Sequence, residues 1–374
     1  MKVRGAVIRE MGLPRPYAKS RPLEIVELDL APPGPGELLV RVWAAGLCHS
    51  DLSVIDGTWP RVMPMVLGHE AAGEVVELGP GTHGFARGDH VVLAFVPSCG
   101  SCLQCRSGRP ALCGPGAEAN TAGSLLSGDR RWSDGGPDQL HHHLGVSAFA
   151  DHVVISTRSA VRVDPELPLE VAALFGCAVL TGVGAVVNTA GVMAGDRVAV
   201  FGLGGVGLAA LLGARVAGAQ TLVAVDLVQA KLDLARELGA THTVLAGNDT
   251  VEAVKAATDG GADHAIETVG SERVLADAYA ATRPGGTTVT VGLPHPDRVL
   301  SIPAVSLVTE ERTLRGSYLG SCVPERDLPR FIGLYRAGSL PVERLLTHRI
   351  SLNEINEGFD RLASGDAVRQ AVIF

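Results

Sequence analysis

Short apolar runs separated by Gly/Pro turns fill the first half of the chain: Leu38–Ala44, Ala72–Leu78, His90–Phe95 and His152–Ser156. Runs of that length and punctuation predict an irregular, mostly β domain over residues 1–178. The pattern changes after Cys177. Apolar strands then alternate with helical segments: Arg197–Phe201, Val206–Ala217, Thr221–Asp226 and Gln229–Leu238, continuing through Ala265–Thr268 and Thr287–Val291. Alternation of this kind calls for a parallel, doubly wound sheet with crossover helices, over 179–320. Residues 321–374 carry a helix at Leu328–Arg336 and a closing apolar strand at Gln370–Phe374, and they are assigned back to the first domain.

Composition narrows the classes. The 374 residues are 46% hydrophobic and 19% charged, with a formal net charge of −8. That balance suits two globular domains and excludes a disordered chain. No dense Lys/Arg run stands against the acidic total, so nucleic acid and anionic membrane are not expected as partners. The opening segment Met1–Ser20, broken by charges and prolines, does not read as a signal peptide. The uncharged run Val198–Ala214 contains five glycines and is shorter than the ~20 apolar residues of a membrane span. A soluble cytoplasmic protein is the expectation.

The run Gly202-Leu-Gly204-Gly205-Val206-Gly207 follows one predicted strand and opens a helix, and Asp226 ends the next strand. Strand, glycines, helix and acid in that order form a dinucleotide fingerprint. The glycines admit the backbone to a pyrophosphate, and the helix N-terminus offers free N–H groups and a positive dipole end. Asp226 would accept hydrogen bonds from ribose hydroxyls and repel a 2′-phosphate. The following Leu227 and Val228 bring no arginine to offset that repulsion, so NAD is favoured over NADP.

Seven cysteines without a signal peptide point to metal or catalytic thiols in place of disulfides. Four of them, Cys99, Cys102, Cys105 and Cys113, crowd into one short segment. They fit one tetrahedral zinc with no open position, a structural site pinning a loop over about 97–115. Cys48 in GLCHSD, His69 in VLGHEAAGEV and Cys177 in FGCAVLTG stand apart. Three ligands of N and S type can leave a fourth zinc position open, but spacing does not pair them. Each alone reads more readily as a core thiol or a satisfied histidine.

These segments, with HHHLGVSAFADHVV, FGLGGVGL, TVGLP and INEGFDRLASGDAVR, resemble the zinc-dependent medium-chain alcohol dehydrogenases nearly end to end, nearest the liver-type and glutathione-dependent branches. The resemblance implies a GroES-like catalytic domain beside a Rossmann coenzyme domain, two zinc ions per chain, and NAD as hydride acceptor from an alcohol. It implies Cys48, His69 and Cys177 as catalytic zinc ligands, with Glu70 behind the metal and Asp51 holding the zinc histidine. Ser50 matches the hydroxyl that takes the alcohol proton. Thr181 and Val206 match residues flanking the nicotinamide, Lys231 the adenosine-ribose lysine, and Arg369 the pyrophosphate arginine. His49 matches a position beside the pyrophosphate in that family.

Two departures qualify the resemblance. Ser53 replaces the histidine that ends the proton relay in liver-type members, leaving that route open. The arginine and acidic anchors of the glutathione-dependent branch find no clear counterpart in Gly114–Asp138. The implied substrate is a primary alcohol, medium-chain, benzylic or allylic. A thiol-adduct formaldehyde dehydrogenase is the nearest alternative, and a non-catalytic NAD- and zinc-binding redox sensor the alternative of another class. Closure of the two domains around the cofactor would exclude water. His141-His142-His143 reads as an ordinary loop and Cys322 as a core or bystander thiol. Phe95 and Phe149 match pocket-lining positions that equally suit core packing. Assembly is expected as a homodimer, with a tetramer as the other family habit, by continuing the coenzyme-domain sheet through Thr287–Val291 and Ser301–Val305.

Overall fold

A computed structural model of the protein describes residues 1–137 and 139–374, so only Asp138, the last residue of the segment searched for anchors, lies outside the described residues. The chain divides into two compact units. The first comprises Met1–Cys177, Val323–Pro329 and Leu346–Phe374, and the second Ala178–Cys322 and Arg330–Leu345. The sequence pattern assigns all of 321–374 to the first unit, and the structure corrects this. Residues Arg330–Leu345 join the second because the turn Val342–Leu345 packs on the helix Gly205–Val216. Arg215 Nη2 also donates to Ser339 O at 3.0 Å there.

Two sheets build the first unit, one of five strands and one of seven. The five-stranded sheet is opened by Lys2–Ile8 and Leu23–Leu30, an antiparallel pair that the apolar pattern does not single out. Glu37–Gly46 is the hub of the larger sheet, pairing antiparallel with Ala71–Leu78, His152–Ser156 and Arg369–Ile373. Val3, Ile8, Leu28, Val40, Val42, Val66, Phe149 and Phe359 lie in one buried apolar cluster. Removing that much apolar surface from water is what holds strands too short to be stable alone. The last pairing matters for function. Register Ala371↔Gly46 brings the C-terminal strand beside Leu47 and Cys48.

The second unit carries a six-stranded parallel sheet. In chain order its elements are β1 (Arg197–Phe201), α1 (Gly205–Val216), β2 (Thr221–Asp226), α2 (Gln229–Glu237), β3 (His242–Leu245), α3 (Thr250–Ala257), β4 (Ala262–Glu267), α4 (Glu272–Ala281), β5 (Thr282–Thr290), α5 (Ala304–Thr309) and β6 (Thr313–Gly316). The spatial order is β3-β2-β1-β4-β5-β6, so the chain reverses direction across the sheet between β1 and β4. Ligands of such sheets bind at that reversal, outside the carboxyl ends of the strands. The inner strands are near-continuous apolar runs, as strands covered on both faces must be. Among the described residues no single helix is long and apolar enough to cross a membrane.

One expectation about assembly is corrected here. β5 pairs on both sides, with β4 and β6, so its backbone groups cannot extend the sheet into a second copy. Ser301–Val305 is not a strand either, because α5 begins at Ala304. The unpaired edge on that side belongs to β6.

Candidate active site

Cys48 stands at the N-terminus of the helix His49–Ile55. Its thiol accepts the N–H of Asp51, while the Asp51 carboxylate accepts the N–H of Cys48 at 3.2 Å. His69 follows Gly68, whose φ of +93° favours glycine and whose missing Cβ would lie 2.6 Å from Phe149 N. Cys177 ends the turn Leu174–Gly176. These three and Glu70 bring their ligand atoms within 4.8 Å of one another, all buried. Sequence spacing could not pair them, and the fold does.

The donor set fits a metal cation. His69 Nδ1 lies 2.9 Å from Asp51 Oδ1, which assigns the proton to Nδ1 and leaves Nε2 as a lone-pair donor. The two thiols cannot both ionise side by side. Cys48 is held well below the ordinary thiol range by its contact with Cys177, with His69 adding to the effect. Cys177 is pushed well above that range by Cys48 and by burial. Burial disfavours a charged His69, yet the Asp51 and Cys48 anions overcome it and raise the imidazole well above its usual range. Burial also lifts Glu70 to about 7, against the pull of Arg369. Glu70 Oε1 is a buried oxygen with no hydrogen-bond partner. A cation would satisfy that oxygen and let both thiols ionise.

Arg369, expected at the cofactor pyrophosphate, is only 4% exposed. Its Nη2 pairs with Glu70 and its Nη1 donates to Leu47 O at 3.0 Å. In this structure the guanidinium is the counter-charge to a buried carboxylate. Ser50, half-buried, places Oγ 3.9 Å from Cys48 Sγ. Ser53 lies on the same helix, and its carbonyl accepts the Trp59 N–H. Phe95 packs edge-on against the His69 ring at 5.3 Å. Phe149 belongs to the core, fully buried against Phe359.

His143 is the residue that sequence reasoning passes over. The histidine run splits three ways. His141 Nδ1 accepts from Arg130 Nε at 3.0 Å, and His142 Nε2 accepts the Arg131 N–H at 3.1 Å. Only His143 reaches the site, with Nδ1 3.2 Å from Asp51 Oδ1 and its ring 5.5 Å from that of His69. Alternation turns His141 and His142 to opposite faces of their short strand, and His143 lies beyond that strand, at the start of the turn. That alternation is the available signal.

The four-cysteine loop closes as its spacing predicts. Cys99, Cys102, Cys105 and Cys113 converge within 4.8 Å, all free of disulfides. Backbone N–H groups of Cys99 and Gly116 point at Cys113 Sγ, and that of Cys102 at Cys99 Sγ, as thiolates require. The backbone donors of Ser101 and Cys102 pull Cys99 down to about 6, while burial pushes Cys105 up to about 12. Crowded thiols resist ionising together, and a dication removes the conflict. Among the described residues the set contains no further donor, as a closed four-sulfur site requires.

In the second unit the glycine run fits a dinucleotide. Gly202 has φ of +90°, and a Cβ on Gly207 would lie 1.8 Å from Gly202 O. Gly204 faces open space and precedes α1 without a capping side chain, so the first N–H groups of that helix await an acceptor. Gly205 is buried and Val206 half-buried at its start. Asp226 ends β2, its carboxylate accepting the N–H of Leu203 at 2.7 Å and of Val228 at 2.9 Å. Lys231 lies half-buried in the first turn of α2, Thr181 is buried, and His49 is exposed on the first unit. Cys322 donates to Leu180 O at 3.3 Å and is a core thiol.

Comparison with known proteins gives the family. Residues 34–168 match the family described as alcohol dehydrogenase GroES-like domain, and 205–337 that described as zinc-binding dehydrogenase. The chain is 40% identical to an NDMA-dependent alcohol dehydrogenase of Amycolatopsis methanolica, over 100% of this chain and 99% of that one. The chain belongs to the zinc-dependent medium-chain alcohol dehydrogenases. An S-(hydroxymethyl)glutathione dehydrogenase of Escherichia coli is 39% identical over 95% of this chain and 97% of its own length. Benzyl alcohol dehydrogenase of Acinetobacter calcoaceticus superposes with a TM-score of 0.92 at 32% identity, covering 100% of this chain and 99% of that one. The protein is therefore an oxidoreductase that uses zinc and a nicotinamide dinucleotide.

Proposed function

We propose that this alcohol dehydrogenase oxidises a primary alcohol without an anionic arm, benzylic or medium-chain, to its aldehyde, with NAD as acceptor. The carrying observation lies in the long segment after Cys113. Its arginines are both committed internally. Arg130 binds His141 Nδ1 and Ala122 O, and Arg131 binds Glu37 and Asp129. A thiol-adduct substrate would need such cations for its carboxylates. Phe95 beside His69 instead suits an apolar or aromatic substituent.

In this reading Cys48, His69 and Cys177 would hold a catalytic zinc with Glu70 beside them, and the four-cysteine loop would hold a structural one. Zinc, when bound, would supply Lewis acidity that makes the alcohol proton easier to remove. NAD would supply the hydride acceptor. Ser50 Oγ takes the alcohol proton and passes it outward, without the relay histidine of the liver-type members. Asp51 keeps the His69 ring oriented. Thr181 and Val206 would border the nicotinamide, Gly202–Gly207 and the start of α1 would receive the pyrophosphate, and Asp226 and Lys231 would hold the adenosine ribose.

The test is NADH formation across benzylic, allylic and straight-chain alcohols and S-(hydroxymethyl)glutathione. NDMA serves as an additional acceptor, because one relative is named for it. The reading expects the highest kcat/KM with an uncharged alcohol. A preference for the glutathione adduct overturns it in favour of the thiol-adduct alternative.

Cofactor choice gives a second expected outcome. A 2′-phosphate beside Asp226 costs several kcal/mol, so kcat/KM for NAD should exceed that for NADP by about a hundredfold or more. Asp226→Ala should shrink that ratio at least tenfold. Its thermal midpoint is measured alongside, since Asp226 also accepts the Leu203 N–H. An unchanged ratio counts against the ribose role.

Assembly as a homodimer is proposed through the β6 edge. Leu293, Val299, Val305, Leu307 and Val308 are exposed in the segment preceding β6, an apolar supply for a strand whose outer edge is unpaired among the described residues. Sedimentation should give twice the 38.7 kDa chain mass. A Thr313→Pro variant should shift it to monomer, and a tetramer unaffected by that change would contradict the proposal.

A further inference from the structure

Asp51 is fully buried, and as a carboxylate it offers only acceptors. Oδ2 accepts the Cys48 N–H at 3.2 Å, and Oδ1 lies 2.9 Å from His69 Nδ1. The same Oδ1 lies 3.2 Å from Nδ1 of His143, which is 1% exposed. That His143 nitrogen has no aligned hydrogen-bond partner, and Asp51 is its near neighbour. A lone pair there would face the lone pairs of the carboxylate. A proton there turns the same contact into attraction, so the ring partner assigns the tautomer with hydrogen on Nδ1.

The placement also controls the metal histidine itself. His69 is held between two edge-on rings, Phe95 at 5.3 Å and 86° and His143 at 5.5 Å and 83°. Phe95 can restrain the ring only by contact. His143 restrains it twice, by that contact and through the carboxylate both histidines share.

We propose that His143 is a positioning residue of the zinc site, donating from Nδ1 to Asp51 and thereby fixing the carboxylate that orients His69. The proposal rests on the reading of Cys48, His69 and Cys177 as zinc ligands. The chain supplies its own chemistry for this: a histidine in a run that otherwise serves Arg130 and Arg131. Without His143, Asp51 keeps two N–H donors, and its Oδ1 is free to swing with the His69 ring.

Two substitutions separate donation from packing. His143→Phe keeps an aromatic ring against His69 and removes the nitrogen. His143→Asn loses the ring but places an amide N–H near the Nδ1 position. Each is compared with wild type by zinc affinity in chelator competition and by the visible spectrum of the cobalt(II)-substituted protein. Loss of a partner of this kind typically costs 10–100-fold in metal affinity or activity. His143→Phe should therefore weaken binding at the catalytic site about tenfold and alter the cobalt bands, and His143→Asn should recover most of both. The four-cysteine site should hold its metal in every variant.

Wild-type affinity and spectrum in His143→Phe would overturn the proposal, as would a His143→Asn variant no better than His143→Phe at equal thermal stability. The underlying reading fails separately, in a different variant. If His69→Ala still binds zinc at both sites with wild-type affinity, the ligand assignment itself is wrong, whatever His143 does.

Discussion

Cys177→Ala should bind one zinc per chain where the wild type binds two, and its alcohol oxidation should fall by at least about a thousandfold. Lewis-acid stabilisation by a catalytic metal is worth several kcal/mol, and each ~1.4 kcal/mol is tenfold in rate. The geometry explains why one thiol matters so much. Cys48 and Cys177 oppose each other, the contact between them holding Cys48 well below the ordinary thiol range and pushing Cys177 well above it, and a cation between them relieves that opposition. Removing Cys177 leaves Cys48, His69 and Glu70 as a weaker, mixed set with one sulfur. The fold should survive, because Cys177 is a small buried side chain and alanine fills most of its place. Metal analysis, circular dichroism and turnover on the same preparation check the three parts together. Two zinc ions per chain with intact activity would remove Cys177 from the site.

Cys113→Ala should act on folding where Cys177→Ala acts on turnover. Cys113 is 1% exposed, accepts the N–H of Cys99 and of Gly116, and caps the helix Gly114–Ala122. Its loss breaks the closed four-sulfur set and leaves those donors and the helix start without an acceptor. Structural zinc contributes folding free energy directly, and a lost cap alone costs about 1 kcal/mol. A combined loss of about 3 kcal/mol lowers the thermal midpoint by about 6–12 °C for a domain of this size. The loop over 97–115 should become the first site of proteolysis. Differential scanning calorimetry with metal analysis measures it. A variant that lost one zinc at an unchanged midpoint would show that the loop folds without its metal.

The second unit is legible in the sequence because local pattern and global fold coincide there. β1 and β2 run over the residues whose apolar character predicts them, and the glycines between β1 and α1 have one structural use. The four cysteines are equally plain, since a closed zinc site made of neighbours in the chain is visible as spacing. Cys48, His69 and Cys177 are not. They are joined only by the packing of three distant segments, and family resemblance has to supply what periodicity cannot. The His143 role is hidden by its neighbours, which look alike in sequence and face different partners in the fold. Arg369 shows a further limit. Its strand is evident, but its pairing with Glu70 depends on the antiparallel register of Arg369–Ile373 with Glu37–Gly46, a contact between opposite ends of the chain. The sheet edge fails for a related reason: β6, at Thr313–Gly316, is short and polar, and nothing local marks it as the strand that covers β5.

The central claim is that zinc held by Cys48, His69 and Cys177 is required for alcohol oxidation with NAD. The most direct test strips the protein with a chelator and returns zinc in steps, reading NADH formation from benzyl alcohol after each addition, with Cys177→Ala run in parallel. The account predicts no turnover in stripped protein and recovery that reaches its limit when two zinc ions per chain are bound, with Cys177→Ala taking up one ion and staying inactive. Turnover in zinc-free protein, or full recovery in Cys177→Ala, would contradict it.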